Sequence, residues 1–206
     1  MNWKDHFIVF DTETTGLDSD ARIIEIGFIE VVGGEIGQSD ARTFYPKDVD
    51  WQSEKVAKAL EVNHLDEATL RKEGNSFEDS LPWLWSFLSA PVWVGHNIVF
   101  DMKMLAQEFG HCNDTCPSPE MFSLCTMQVS ASLDRQPSFR YRLADVAERM
   151  GITVEGDAHR ALTDALTCAY ILKTLLPQLP DDAALMPSLL STAEAGWKKR
   201  NTGRRR

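Results

Sequence analysis

The chain has 206 residues, 43% hydrophobic and 25% charged, enough for one domain with a sizeable core; this composition excludes a disordered or fibrous chain. No run of 18 apolar residues occurs and the N-terminus lacks the basic-then-apolar pattern of a signal peptide, so no membrane span is expected and the expected location is cytoplasmic. The net charge of −10 is uneven: the last eleven residues hold six basic residues and no acid, leaving −16 on residues 1–195, which argues against a broad, passive nucleic-acid-binding surface but not against an enzyme that sets cations between its carboxylates and phosphate.

Residues 6–11, HFIVFD, form a short apolar run that predicts a buried strand. Two further runs flank Gly33 and Gly34, a strong hairpin signal, with Ile24, Ile26, Phe28 and Val31 on one face and Glu25 and Glu30 elsewhere. Residues 53–74 are polar with short helical patterns. Phe77, Leu81, Leu84 and Leu88 then recur at helical spacing behind an Asn75 or Ser76 cap. PVWVGHN (91–97) reads as a buried strand, and VFDMKMLAQEFG (99–110) as a helix closed by Gly110. A loop over 111–120 leads to a short strand in MFSLCTMQ (121–128), and residues 130–140 read as loop again. YRLADVAERMG (141–151) predicts an amphipathic helix ending at Gly151, and DAHRALTDALTCAYILKTLL (157–176) the longest helix, stopped by Pro177. The order β-β-β-α-β-α-β-α-α predicts a three-layer α/β domain on a mixed sheet over residues 1–178. Residues 179–206 are expected to form a C-terminal tail, basic at its end, that is either a polyanion contact or a solvated extension.

Four cysteines, 112, 116, 125 and 168, are expected as free thiols. His111, Cys112 and Cys116 have zinc-like spacing, but no fourth ligand is evident.

The chemistry concentrates in acids. Asp11 and Glu13 end the first strand, and strand alternation puts both on one face with Thr12 pointing away. Asp101 opens the helix after another strand end, and Asp164 lies in the longest helix with His159 five residues earlier. A carboxylate at a buried strand end is costly unless paired, and four converging ones repel unless protonated or neutralised by cations. Hard oxygen donors favour Mg²⁺ or Mn²⁺, and two such ions about 4 Å apart form the clamp used for phosphoryl transfer. His159 is the candidate general base, expected in the first turn of a helix starting at Gly156 or Asp157.

FDTETTGL (10–17), GHNIVFDMKML (95–105) and HRALTDA (159–165) resemble the three motifs of the DEDDh 3′–5′ exonucleases, a family that includes the epsilon subunit of bacterial DNA polymerase III, ribonuclease T and oligoribonuclease. The resemblance spans residues 6–176. It implies a ribonuclease H-like three-layer α/β domain with a mixed five-stranded sheet. It implies Asp11, Glu13, Asp101 and Asp164 as ligands of two divalent cations and His159 as general base. A sister group has tyrosine where Arg160 stands, so the histidine version applies. By the same resemblance Thr14, Thr15, Gly16, Leu17, His96, Asn97 and Phe100 are the expected substrate-binding residues. The family's usual His-Gly-Ile is here Asn63, His64 and Leu65.

The implied substrate is the single-stranded or frayed 3′ end of DNA, and the product a nucleoside 5′-monophosphate. An RNA-trimming enzyme and a non-catalytic 3′-end-binding or polymerase-accessory module are the rivals. Two segments add weaker signals: RQPSFRYR (135–142) mixes arginine with aromatics as single-strand binders do, and QVSASL (128–133) resembles a sliding-clamp-binding peptide. A DNA polymerase, implied by the resemblance, or a sliding clamp is the expected protein partner.

Overall fold

A computed structural model describes residues 2–134 and 140–186. Strands β1 (His6–Thr14), β2 (Ile23–Val32) and β3 (Glu35–Thr43) make an antiparallel meander. Gly33 and Gly34 turn β2 into β3 with φ of +58° and +82°, a consecutive left-handed pair that glycine adopts without steric cost. On the other side of β1, β4 (Val92–Gly95) and then β5 (Phe122–Cys125) add in parallel. The sheet order is β3-β2-β1-β4-β5, mixed and five-stranded.

Seven helices complete the described residues: α1 (Glu54–Asn63), α2 (Glu67–Glu73), α3 (Leu81–Leu88), α4 (Val99–His111), α5 (Thr126–Leu133), α6 (Leu143–Arg149) and α7 (Ala161–Leu175). Alternation along β1 sorts them into two layers. Phe7 and Val9 point to a core shared with α5, α6 and α7, while Ile8 and Phe10 point to one shared with α3 and α4. β2 is buried on both faces. Val31 joins Ile29 in the α7 layer and not Ile26 and Phe28, because the irregularity near residue 31 puts its extra residue in β3.

The local signals for α1 and α2 hold: Ser53 and Asp66 cap them by accepting from Val56 N and Thr69 N. Two elements differ from the sequence reading. α5 begins directly after β5, covering the end of the expected strand (126–128) and the start of the expected loop (130–133). It has no side-chain cap, and Val129 and Ala131 are buried beside α7, so tertiary packing creates it. The clamp-like segment 128–133 therefore lies inside a core-packed helix and is not presented as a free peptide. α7 begins at Ala161, later than expected, because His159 adopts φ +61° and Arg160 is extended. Of the segment 135–142, residues 135–139 lie outside the described residues; Tyr141 is buried and Arg142 pairs with Asp145.

Past residue 178 the chain packs against the N-terminal segment. Trp3 Nε1 donates to the Pro180 carbonyl at 3.1 Å, Lys4 Nζ to the Leu179 carbonyl at 2.7 Å, and Leu179 and Met186 enter the α7-side core. The rest of the expected tail, 187–206, lies outside the described residues. Among the described residues no helix is long and apolar enough to cross a membrane.

The first turn of α7 lies directly on β2. A Cβ added at Gly27 would meet Leu162 N at 2.4 Å and the Ala161 carbonyl carbon at 2.5 Å. Gly27→Ala should force helix and sheet apart and cost about 1–3 kcal/mol, read as a drop of several degrees in a thermal melt.

Candidate active site

The site forms where the C-terminal end of β1 meets the first turns of α4 and α7. Asp11 and Glu13 continue the Phe7 and Val9 face and so point toward α7. Asp164 sits in the first turn of α7, and His159 just ahead of it. Ligand atoms of Glu13, His159 and Asp164 all lie within 4.8 Å of one another. Asp11 adjoins this trio closely enough that Asp101, Glu13 and Asp164 all act on its charge.

Asp101 arrives from the other layer, buried at the start of α4. Its Oδ1 accepts from Thr12 N at 3.1 Å and from Thr12 Oγ1 at 2.8 Å. Thr12 does point away from the Asp11 and Glu13 face, but it is not idle there: it holds the third acid. The reason is geometric, since α4 crosses the sheet end on the face to which Ile8, Phe10 and Thr12 all point.

Every one of the four acids is harder to ionise than usual. Burial first, then Asp101, Glu13, Asp164 and Glu25, pushes the Asp11 carboxyl well above the carboxylate range. Glu13 is pushed up to about 8 by burial, then by Asp164, Glu25 and Asp101, with Arg160 opposing. Burial raises Asp101 to about 7 against the Thr12 bonds. Asp164 is raised by burial, against the charge and backbone of His159. Oxygen donors crowded in this way, with one imidazole beside them, fit hard divalent cations.

A fifth acid stands behind them. Glu25 is the cross-strand partner of Glu13 and only 2% exposed. It accepts from Arg160 and from Ala161 N at 2.9 Å.

Beside the acids a cleft of about 680 Å³ opens between the Thr14–Asp18 turn and α1. Glu13, Thr14, Gly16, Leu17, Phe100 and His159 line it. Leu17 stands at its mouth, 82% exposed. The turn is braced from both sides. Thr15 N donates to the Arg22 carbonyl, and Arg22 N to Thr15 Oγ1, each at 2.9 Å. Buried Asn63 donates its amide to the Thr14 carbonyl at 3.0 Å.

Residues 8–172 match the family model RNase_T, described as Exonuclease. The chain belongs to this exonuclease family. It is 30% identical over 174 residues to the DNA polymerase III subunit epsilon of Treponema pallidum, across 82% of this chain and 76% of that protein. It is 29% identical over 192 residues to the DNA polymerase III PolC-type of Clostridium perfringens, across 88% of this chain but only 12% of that much longer protein. The nuclease domain of 3′hExo, a DEDDh member solved with rAMP bound, superposes with a TM-score of 0.70 at 14% identity, over 84% of this chain and 92% of that one. The fold is ribonuclease H-like, and the activity class described for the family is exonuclease.

Within this exonuclease, the residues expected to bind substrate separate into two groups. Thr14, Gly16, Leu17 and Phe100 face the cleft. Thr15 is buried and spends its hydroxyl on Arg22. Asn97 makes the turn into α4 with φ +74°, its N–H directed at Cys125 Sγ. His96 donates from Nε2 to the Tyr141 carbonyl at 2.7 Å, and its Nδ1 lies 2.9 Å from Thr126 Oγ1. Burial pushes its pKa down to about 4, so it braces the β4 end as a neutral ring. All four cysteines are free, and the acid–histidine trio is the metal-competent cluster among the described residues, so zinc at 111–116 finds no support.

Thr12, Asn63, Glu25 and Arg160 were not singled out as site residues by sequence. Glu25 had a readable signal, an acid inside the apolar run IIEIGF, which is costly unless paired.

The raised carboxyls set a pH dependence. Between the ordinary carboxylate value and about 8, the cation-free folded protein holds more protons on Glu13 and Asp101 than the unfolded chain does. Stability must then fall as pH rises through that window. Chelator-treated protein should melt at lower temperature at pH 8 than at pH 5. The Glu13→Gln/Asp101→Asn variant should lose most of that slope, and saturating Mn²⁺ should flatten it.

Proposed function

We propose that this exonuclease shortens single-stranded or frayed 3′ ends of DNA with the help of two divalent cations, Mg²⁺ or Mn²⁺, releasing nucleoside 5′-monophosphates. The observation that carries the reading is the joint placement of four hard-to-ionise acids and His159 beside a cleft that Glu13 and His159 line.

Asp11, Glu13, Asp101 and Asp164 would hold the cations, which when bound polarise the scissile phosphate and offset charge on the departing 3′ oxygen. Thr12 keeps Asp101 aimed through its two hydrogen bonds. His159, at the open side of the trio, takes the proton from the attacking water as the new P–O bond forms and the P–O3′ bond breaks. Imidazole suits this step because it exchanges a proton near neutral pH. Leu17 and Phe100 give the terminal nucleotide apolar contact, and the braced turn presents backbone groups to its sugar. An unpaired end is favoured, since a duplex end must first unstack to bring its terminal nucleotide to the acids. The preference for deoxyribose is supported by the likeness to DNA polymerase III chains, which also supports work beside a polymerase.

Matched 5′-labelled DNA and RNA strands separate the readings. We expect a ladder growing from the 3′ end of single-stranded DNA with Mg²⁺ or Mn²⁺, slower cutting of blunt duplex, and none with chelator. Faster cutting of RNA would overturn the sugar assignment. His159→Ala should lower turnover by about 10²–10⁴ while calorimetry still finds divalent uptake; a normal rate would remove the base assignment.

A further inference from the structure

α7 enters the active site without a cap of its own. Its N-cap position is Arg160, in extended backbone with φ −116° and ψ 124°, and Arg160 makes no side-chain capping bond. The first helical N–H, that of Ala161, donates across the fold to Glu25 Oε2 at 2.9 Å. The Arg160 guanidinium closes on the same carboxylate, with Nε 3.1 Å from both oxygens and Nη2 2.5 Å from Oε1. Glu25 thus serves as a cap supplied by the sheet, and Arg160 is its counter-ion. Gly27, two residues along β2, leaves the room for this contact.

Both ends of the arrangement matter. Glu25 is fixed to the strand position opposite Glu13. What it grips is the residue directly after His159 and the helix turn that carries Asp164. His159 itself is exposed and held at φ +61°, a conformation that persists for a non-glycine residue only when the flanking chain is pinned.

We propose that Glu25 and Arg160 are a positioning pair that sets His159 against Glu13 and Asp164. The inference rests on the exonuclease reading above. Arg160 acts here through its neighbour, its guanidinium being committed to Glu25. Its planar fork spans a buried carboxylate, which a lysine ammonium does not reproduce.

The test is a double-mutant cycle on single-stranded DNA at saturating Mn²⁺. In the wild-type background, Arg160→Ala should lower kcat by about 10- to 100-fold with KM within about threefold, and Arg160→Lys should recover only part of the loss. In the His159→Ala background, Arg160→Ala should lower the residual rate by less than about threefold, because the histidine through which it acts is gone. Equal fold losses in the two backgrounds would mark a merely structural role and overturn the proposal. So would a kcat within about twofold of wild type in folded Arg160→Ala. Glu25→Gln keeps the shape and an acceptor for Ala161 N while removing the charge that holds Arg160, so it carries the same cycle if Arg160→Ala does not fold. A second readout needs no turnover. In cation-free protein, the His159 ring resonances, assigned by their loss in His159→Ala, should form one sharp set in wild type and broaden or split in Arg160→Ala. An unchanged ring signal would count against the pair. A wild type that cuts neither DNA nor RNA would overturn the exonuclease reading, and this role with it.

Discussion

Crowding of negative charge at the end of β1 is the constraint on which the rest of the structure depends. Five acids meet there, and the protein treats them unequally. Asp101 receives two hydrogen bonds from Thr12, Glu25 is closed by Arg160 and a helix N–H, and Asp164 feels the charge of His159. For Asp11 every identified influence makes ionisation harder. The chain therefore compensates the acids at the border of the site and leaves those at its centre in deficit. That is the distribution expected where the missing positive charge arrives with the reaction.

The two-layer build explains how such a cluster forms. Strand alternation sends Asp11 and Glu13 toward α7 and Thr12 toward α4, so one three-residue stretch addresses helices on opposite faces. Asp101 and Asp164 both lie in first helical turns, where the helix dipole favours a carboxylate. The acids thus come from sites that tolerate negative charge individually. Only their convergence at one strand end is costly.

Much of this was legible in the sequence, and the remainder was not for physical reasons. The acid pair, the glycine hairpin and the alternation of β1 are local signals, and each appears in the fold as read. Asp101, Asp164 and His159 were found through motif spacing, which stands in for contacts that single residues do not reveal. α5 and the late start of α7 escaped because neither has a side-chain cap or a clean period. Packing against the sheet decides the first, and the Glu25 contact the second. Thr12 and Asn63 escaped because their partners, Asp101 and the Thr14 carbonyl, lie 89 and 49 residues away. His96 reads as substrate-binding from its place in the second motif, while its ring partners, Tyr141 and Thr126, lie 45 and 30 residues away.

The walls of the cleft differ in a way that bears on turnover. On the β1 side, the Thr14–Asp18 turn is tied by buried Asn63 and by both backbone and hydroxyl bonds between Thr15 and Arg22. At the mouth, the exposed Lys55–Asp18 pair, at 2.8 Å, adds a second tie from α1 to that turn. Exposed ion pairs are screened and contribute little to stability. The inner surface that must orient a sugar and phosphate is therefore firm. The outer contact, exposed to solvent, is cheap to break. Under the proposed function, the firm part of the cleft thus lies beside the acids and the labile tie at its mouth.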